Sequence, residues 1–189
     1  MTSEFKPTPL IPALDFANRQ IPAHGTMGVD YEQRVDFHRL RDYRLNRAMQ
    51  ALEASECGSF LLFDFYNIRY TTQTWIGGAL GDKMSRYALL MPDGKPHMWD
   101  FGSAAKHHRL FSPWIHEGHS HAGMLGLRGA IHPEVGLMKE AVTMIKGMLT
   151  DAGVVNDPIG VDIVEPAFLF EMQAQGLKVV DIQQHMLDA

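Results

Sequence analysis

The densest group of residues that could hold a metal ion is a run of histidines. Five of the ten histidines fall within fifteen positions: His107, His108, His116, His119 and His121. Neutral imidazole is a common zinc ligand. The spacing, however, matches no helical ligand pair such as H-E-x-x-H, and no cysteine lies nearby to assist. We therefore interpret the segment as a polar surface loop, with a zinc site as the alternative.

Two other patterns suggest a motif but fail in detail. Residues 77–83 (GGALGDK) contain three glycines and a lysine, yet Lys83 is followed by Met84 instead of the Ser or Thr of a phosphate-binding loop. The only cysteine, Cys57, stands outside any nucleophile motif, and no G-x-S-x-G turn occurs. The sequence thus predicts neither a nucleotide site nor a covalent nucleophile.

Acidic residues stand at the ends of four predicted strands: Asp64, Asp100, Asp162 and Asp181. Enzymes of the α/β class often place functional groups at such positions. Taken singly, each residue is typical of a turn or a helix cap. The sequence does not show whether the four side chains converge.

The hydrophobic pattern of the first half mixes helices and strands. A helix is predicted from near Tyr31 to near Cys57, because Leu45, Met49 and Leu52 recur at helical spacing. The continuous apolar run 59–64 predicts a strand buried on both faces. Further strands are predicted over 68–72, 86–91 and 96–101, the last two joined as a hairpin by the turn 92–95.

The second half predicts a parallel crossover unit. After a short helix over 103–111 and the glycine- and histidine-rich segment 114–132, Pro133 opens a helix that Gly153 closes. Strands are then predicted over 159–164 and 177–182, with a helix from Pro166 to Gly176 between them. The fold class is therefore α/β: a three-layer domain with a mixed β-sheet, an antiparallel hairpin plus parallel strands, and helices on both faces.

Composition limits the partners and the compartment. The 17 basic and 22 acidic residues give a formal charge of −5, which offers no footprint for nucleic acid or anionic lipid. Neither a signal peptide nor a membrane span is predicted, and a single cysteine favours a reducing compartment. We expect a cytoplasmic protein with no nucleic-acid and no membrane partner. Residues 1–30 are rich in proline and are predicted to form an extended arm before a domain over 31–189.

The segment 63–72 (FDFYNIRYTT) resembles the N-I-x-Y-x-T/S segment in the amino-terminal domain of creatinase, prolidase and aminopeptidase P, the pita-bread metallohydrolases. The helix containing 41–47 is similar to the opening helix of that domain, and 86–94 with 98–100 (MWD) is similar to its hairpin. Among these enzymes the likeness is greatest to the dimethylsulfoniopropionate lyase branch.

The resemblance implies a role for this chain beside a metal centre. In the family, two aspartates, a histidine and two glutamates of a following domain hold two divalent metal ions, and that domain is expected to be absent from the present chain. No cofactor and no metal ligand is therefore expected within 31–189. The resemblance also implies a homodimer and a small-molecule or short-peptide substrate. Trp75 is expected to lie near the substrate, with Tyr70 and Asn67 as weaker candidates.

Three functions remain open on this evidence. The chain is expected to be the dimerisation and substrate-shaping domain of an enzyme that hydrolyses C–N bonds, of the Xaa-Pro peptidase type. It could instead belong to a C–S lyase of a sulfonium substrate. A third possibility is a partner-binding module without catalysis, because the arm contains apolar residues that need burial: Leu10, Ile11, Leu14 and Phe16.

Overall fold

The computed structural model describes residues 36–75, 86–123 and 133–189. The predicted arm over 1–30 and the glycine-containing segment 77–83 lie outside the described residues. Within them, no helix is both long enough and apolar enough to cross a membrane.

One mixed sheet of six strands forms the centre of the described structure. Its strands, in chain order, are β1 Ser59–Leu62, β2 Tyr87–Leu90, β3 His97–Asp100, β4 Ser120–Ala122, β5 Ile159–Val161 and β6 Val179–Asp181. Their spatial order is β4-β3-β2-β1-β5-β6. The β1/β2 and β2/β3 pairs are antiparallel, whereas β3/β4, β1/β5 and β5/β6 are parallel. The predicted hairpin and parallel crossover are both confirmed.

Helices cover both faces of this sheet, which confirms the predicted layers. They are α1 Phe37–Ala54, α2 Phe65–Thr72, α3 Gly102–Phe111, α4 Leu137–Asp151, α5 Pro166–Ala174 and α6 Gln183–Asp188. Side chains of α1, α2 and α6 share one core cluster, and side chains of α4 and α5 share the other. Successive strand residues supply the two clusters in turn, since Phe60 and Leu62 face α1 while Leu61 faces α4.

The predicted strand over 68–72 is wrong, because these residues belong to α2. The alternation of Ile68, Tyr70 and Thr72 suggested a strand. The buried residues of the segment instead follow helical spacing: Ile68, Thr71 and Thr72. Asp64 starts the helix, because its carboxylate accepts hydrogen bonds from the backbone N–H groups of Tyr66 (2.8 Å) and Asn67 (3.3 Å).

Three further boundaries differ from the sequence prediction. The segment 114–132, for which no element was predicted, contains the edge strand β4. Pro133 begins a separate short 3-10 turn, and α4 starts only after Gly136, whose φ of 82° breaks the helix. Val135 is consequently exposed, outside the helix that was predicted to include it. The last residues form α6, whose Met186 reaches the core.

Gly160 of β5 provides a test of how tightly α6 and the sheet are packed. A Cβ atom at this position would lie 2.5 Å from Cγ2 of Ile182 and 2.8 Å from Cδ1 of Phe60. Gly160→Ala should therefore lower the free energy of unfolding by about 1–3 kcal/mol in urea titrations. Gly147→Ala is the matched control, because a Cβ atom in this part of α4 meets nothing within 4 Å. Since alanine favours a helix more than glycine does, this change should raise the free energy of unfolding by about 0.5–1 kcal/mol. Equal effects of the two changes would contradict the packing described.

Candidate functional site

The carboxylate of Asp162 connects the ends of β1 and β5. Its Oδ1 accepts hydrogen bonds from the backbone N–H of Phe63 (2.8 Å) and of Ile163 (2.6 Å). Its Oδ2 accepts from the backbone N–H of Asp64 and from Nδ2 of Asn67, both at 3.0 Å. Burial raises the pKa of Asp162, while these four donors act in the opposite direction. The side chain fixes the place where α2 begins.

The four acidic residues at strand ends have different roles. Asp64 and Asp162 meet at the same edge of the sheet, where one caps α2 and the other binds its first residues. Asp100 lies at the same edge two strands away from Asp64, at the end of β3, where it is buried against Arg86. Asp181 is exposed and accepts a hydrogen bond from the backbone N–H of Gln183. The four carboxylates therefore do not form one site.

A cavity of about 240 Å³ lies at the same edge, lined by Phe63, Ile163, Val164 and Glu165. Here α2 leaves β1 toward one face of the sheet and α5 leaves β5 toward the other. Such a division between neighbouring parallel strands is where α/β proteins commonly bind ligands. Three of these residues are apolar, and Glu165 adds a carboxyl group to the lining.

Trp75 lies on the first turn of α2. Its ring contacts Phe65 edge to face at 4.7 Å between ring centres and lies 6.3 Å from the ring of Tyr66. The guanidinium of Arg69 stands 5.0 Å from the Trp75 ring. We call Phe65, Tyr66 and Trp75 the aromatic platform. Because Tyr66 is 71% exposed and Trp75 is half-buried, the platform presents ring surface and a hydroxyl group to the outside.

The other two predicted site residues have structural contacts. Asn67 donates to Asp162, so its amide is part of the connection between β1, β5 and α2. Tyr70 donates its hydroxyl to the carbonyl oxygen of Ala189 at 2.7 Å, and burial raises its pKa. Arg47 donates to the neighbouring carbonyl of Asp188. Tyr70 thus fastens the end of α6, and of the three predicted residues Trp75 is the one that belongs to the platform.

A buried polar network lies behind the platform. Nε of Arg86 stands 3.0 Å from Oδ2 of Asp100, and Nε2 of His108 stands 3.2 Å from the same oxygen. Another guanidinium nitrogen of Arg86 donates to the hydroxyl of Thr74. Burial lowers the pKa of Arg86 to about 10, with Asp100 acting against it, so the guanidinium stays charged at neutral pH. Burial also lowers the pKa of His108.

Arg86 was not among the residues predicted for a site, and His108 was named only as a candidate metal ligand, although one signal was available for Arg86. The hairpin register pairs Tyr87 with Trp99, and extending it by one residue brings Arg86 opposite Asp100. An arginine and an aspartate paired across an apolar hairpin indicate a buried ion pair. No comparable signal identifies His108, because α3 is irregular in its apolar pattern.

Within the described ranges, the histidines of this run do not converge on a metal site. His97 and His119 stack at 3.7 Å between ring centres, and Nδ1 of His97 lies 3.1 Å from Nε2 of His121. The ring centres of His97 and His121 are 5.4 Å apart, so these rings lie nearly end to end and their nitrogens point at each other. Such lone pairs cannot converge on a shared ion. In the described part of the chain, no group of three or more His, Cys, Asp or Glu side chains could hold a metal.

The sequence matches no family model and no curated protein. Its structure resembles an aminopeptidase P, an Xaa-Pro aminopeptidase from Streptococcus thermophilus, with a TM-score of 0.50 and 17% identity over 78% of this chain and 96% of that one. The TM-score is 0.52 for an Xaa-Pro aminopeptidase from Streptococcus pyogenes, with 14% identity over 79% and 98% of the two chains. It is 0.51 for the N-terminal domain of an Xaa-Pro dipeptidase from Lactobacillus brevis, with 14% identity over 77% and 99%. The predicted resemblance is confirmed as a likeness of fold.

Replacing Asp162 tests its role at the sheet edge. Asp162→Asn puts an amide N–H against N–H donors and should lower the free energy of unfolding by about 2–4 kcal/mol in urea titrations. Asp181→Asn is the matched control, because this exposed aspartate at the end of the neighbouring strand accepts a hydrogen bond from the backbone N–H of Gln183. It should lower the free energy of unfolding by about 0.5 kcal/mol or less. A loss for Asp162→Asn no larger than the control would refute the role.

We call His97, His119 and His121 the histidine cluster, and we expect it to make the protein less stable in acid. Burial lowers the pKa of His97 from 6.5 to about 4, helped by His119 and His121 and opposed by Asp93. Burial also lowers the pKa of His121. The unfolded chain then takes up protons that the folded chain does not, so stability is full above about pH 6.5 and falls as the pH drops toward 4. Because these rings are partly exposed, the effect is reduced, and we expect the free energy of unfolding to fall by about 1–2 kcal/mol.

Urea titrations from pH 8 to pH 4 measure this dependence. His97→Phe keeps a ring beside His119 but removes the proton uptake, so its stability should fall less between pH 6.5 and 4. Between pH 7 and 8 the stability difference between the variant and the wild type should stay constant, which serves as the internal control. Profiles that remain parallel down to pH 4 would exclude the cluster as the cause.

Proposed function

We propose that residues 31–189 form the amino-terminal domain of a metal-dependent hydrolase of the Xaa-Pro peptidase type, with 1–30 as an arm. In this proposal the domain contributes to a homodimer and shapes the substrate site, in a cytoplasmic enzyme acting on short peptides. The observation that carries it is the fold, which matches 96–99% of the length of three solved peptidase chains.

The chemistry would be divided between two parts of the enzyme. The described residues do not fit a metal ion, so the two divalent ions would be held by a following domain and would supply Lewis-acid activation of water. This chain would bind and orient the substrate and exclude water from it. The aromatic platform suits that task, because flat rings pack well against a proline ring.

The second candidate, a C–S lyase of a sulfonium substrate, fits the platform less well. A sulfonium group would bind to the face of an aromatic ring as a cation. The guanidinium of Arg69 already stands 5.0 Å from the ring centre of Trp75, so a cation occupies this ring in the absence of any ligand. The position of Arg69 therefore favours the peptidase over the lyase.

The longest translated product that contains this sequence should be assayed with manganese or cobalt and two substrates. Release of the amino acid from an Xaa-Pro dipeptide supports the peptidase, and release of dimethyl sulfide from dimethylsulfoniopropionate supports the lyase. Turnover of neither, together with a stable complex with another protein, supports a binding module. Sedimentation tests the homodimer, since a monomer at high concentration contradicts it.

Trp75 provides the residue-level test. If the platform borders the substrate site, Trp75→Ala should lower kcat/KM by ten- to a hundredfold, mainly through KM, as expected for loss of one aromatic wall. Because the ring is only half-buried, the melting temperature should change little. Leu110→Ala is a control that removes an exposed apolar side chain from α3 and should leave the kinetics unchanged. A stability loss of about 3–5 kcal/mol with normal kinetics would show a purely structural tryptophan.

A further inference from the structure

Arg86 combines features that are unusual for one side chain. It directly precedes β2, is 2% exposed, and is paired with an equally buried Asp100 on the neighbouring strand. The carboxylate is itself fixed, because Oδ1 accepts a hydrogen bond from the backbone N–H of Phe101 and Oδ2 lies beside His108. The guanidinium therefore has a rigid, neutralising anchor on the side of the sheet.

The other contacts of the guanidinium point to Trp75. One nitrogen donates to the hydroxyl of Thr74, the residue directly before Trp75 in the chain. The guanidinium also lies 5.0 Å from the ring centre of Phe65. Phe65 is the ring against which Trp75 packs edge to face. One buried side chain thus touches both the backbone neighbour of Trp75 and its main ring partner.

The chemistry of arginine explains why this residue type can make all three contacts. A guanidinium is a planar cation, so one side chain can lie beside a ring, form an ion pair with a carboxylate and donate to a hydroxyl. A lysine ammonium is a point charge and cannot supply the flat face. Burying this charge is costly, and the ion pair with Asp100 offsets only part of the cost, because Nη1 of Arg86 has no hydrogen-bond partner among the described residues. An apolar side chain would fill the same space more cheaply, so the arrangement calls for a role beyond packing.

We propose that Arg86 is the positioning residue of the aromatic platform, holding Trp75 in place through Thr74 and Phe65. This inference rests on the proposed function for its kinetic consequence, because it assumes that Trp75 faces substrate. Its structural content does not depend on any reaction. Substrate binding would then respond to Arg86 although Arg86 itself is buried behind the platform.

Fluorine NMR of the chain labelled with 5-fluorotryptophan tests the positioning directly. The three tryptophans give three signals, and Trp75→Phe assigns one of them. In Thr74→Val and in Arg86→Lys, we expect the Trp75 signal to move toward its position in the unfolded chain and to narrow. The Trp99 signal should keep its chemical shift and width, because the Trp99 side chain lies in the core cluster on the opposite face of the sheet.

Thr150→Val is the matched control for Thr74→Val. It removes the hydroxyl of an exposed threonine on α4 that bonds within its own helix, and it should leave all three signals unchanged. Thr74→Val keeps the ion pair of Arg86 with Asp100, so the test survives if Arg86 variants fold poorly. An unchanged Trp75 signal in folded Thr74→Val and Arg86→Lys would overturn the proposal.

Kinetics on the longest translated product separate this inference from the proposed function. Arg86→Lys should raise KM three- to tenfold with a smaller change in kcat, and should add less than twofold to KM in a Trp75→Ala background. Effects that multiply in the double variant would show that Arg86 does not act through Trp75. If Trp75→Ala has normal kinetics, the substrate-shaping role fails, while the fluorine spectra still decide whether Arg86 positions Trp75.

Discussion

The described architecture depends on the hydrogen bonds that the buried carboxylate of Asp162 accepts. Neighbouring parallel strands end at the same edge of a sheet, and there their backbone N–H groups lose the partners that the ladder provided. Asp162 accepts hydrogen bonds from these groups on both β1 and β5. It also binds the first residues of α2. One charge, desolvated but fully hydrogen-bonded, thereby sets where the sheet ends and where the helix bearing the platform begins.

The platform is consequently held from two directions. From the sheet edge, Asp162 and the cap Asp64 define the first turn of α2, which includes Phe65 and Tyr66. From the hairpin, Arg86 reaches Thr74 and Phe65. Both anchors are buried ionised groups with several polar partners, and such groups tolerate little displacement because a broken contact leaves a charge unpaired. The physical result is precise placement of three rings that are only partly exposed.

Most of the architecture could be predicted from the sequence, and the exceptions share a cause. The hairpin and the crossover have strong local signals: apolar runs such as 87–91, a Pro-Asp-Gly turn, and glycines after α4 and α5. In α2, the β-branched alternation over 68–72 suggested a strand, whereas the hydrogen bonds that Asp64 and Asp162 accept favour the helix. In β4, Ser120–Ala122 has little intrinsic strand preference and becomes a strand by pairing with β3. These elements are defined by tertiary partners that are distant in the sequence.

The same reasoning explains why the fold is recognisable at 14–17% identity while the activity is not fixed by it. A sheet covered on both faces requires a pattern of burial, and many combinations of apolar side chains satisfy that pattern. Phe60, Leu61 and Leu62 could each be exchanged for other apolar residues without altering the topology. In the proposed function the platform contacts the substrate, so its three rings and Arg69 beside them would determine which ligand binds. A fold of this kind supports different reactions, so the identity of the ligand is a question for those four side chains and not for the fold.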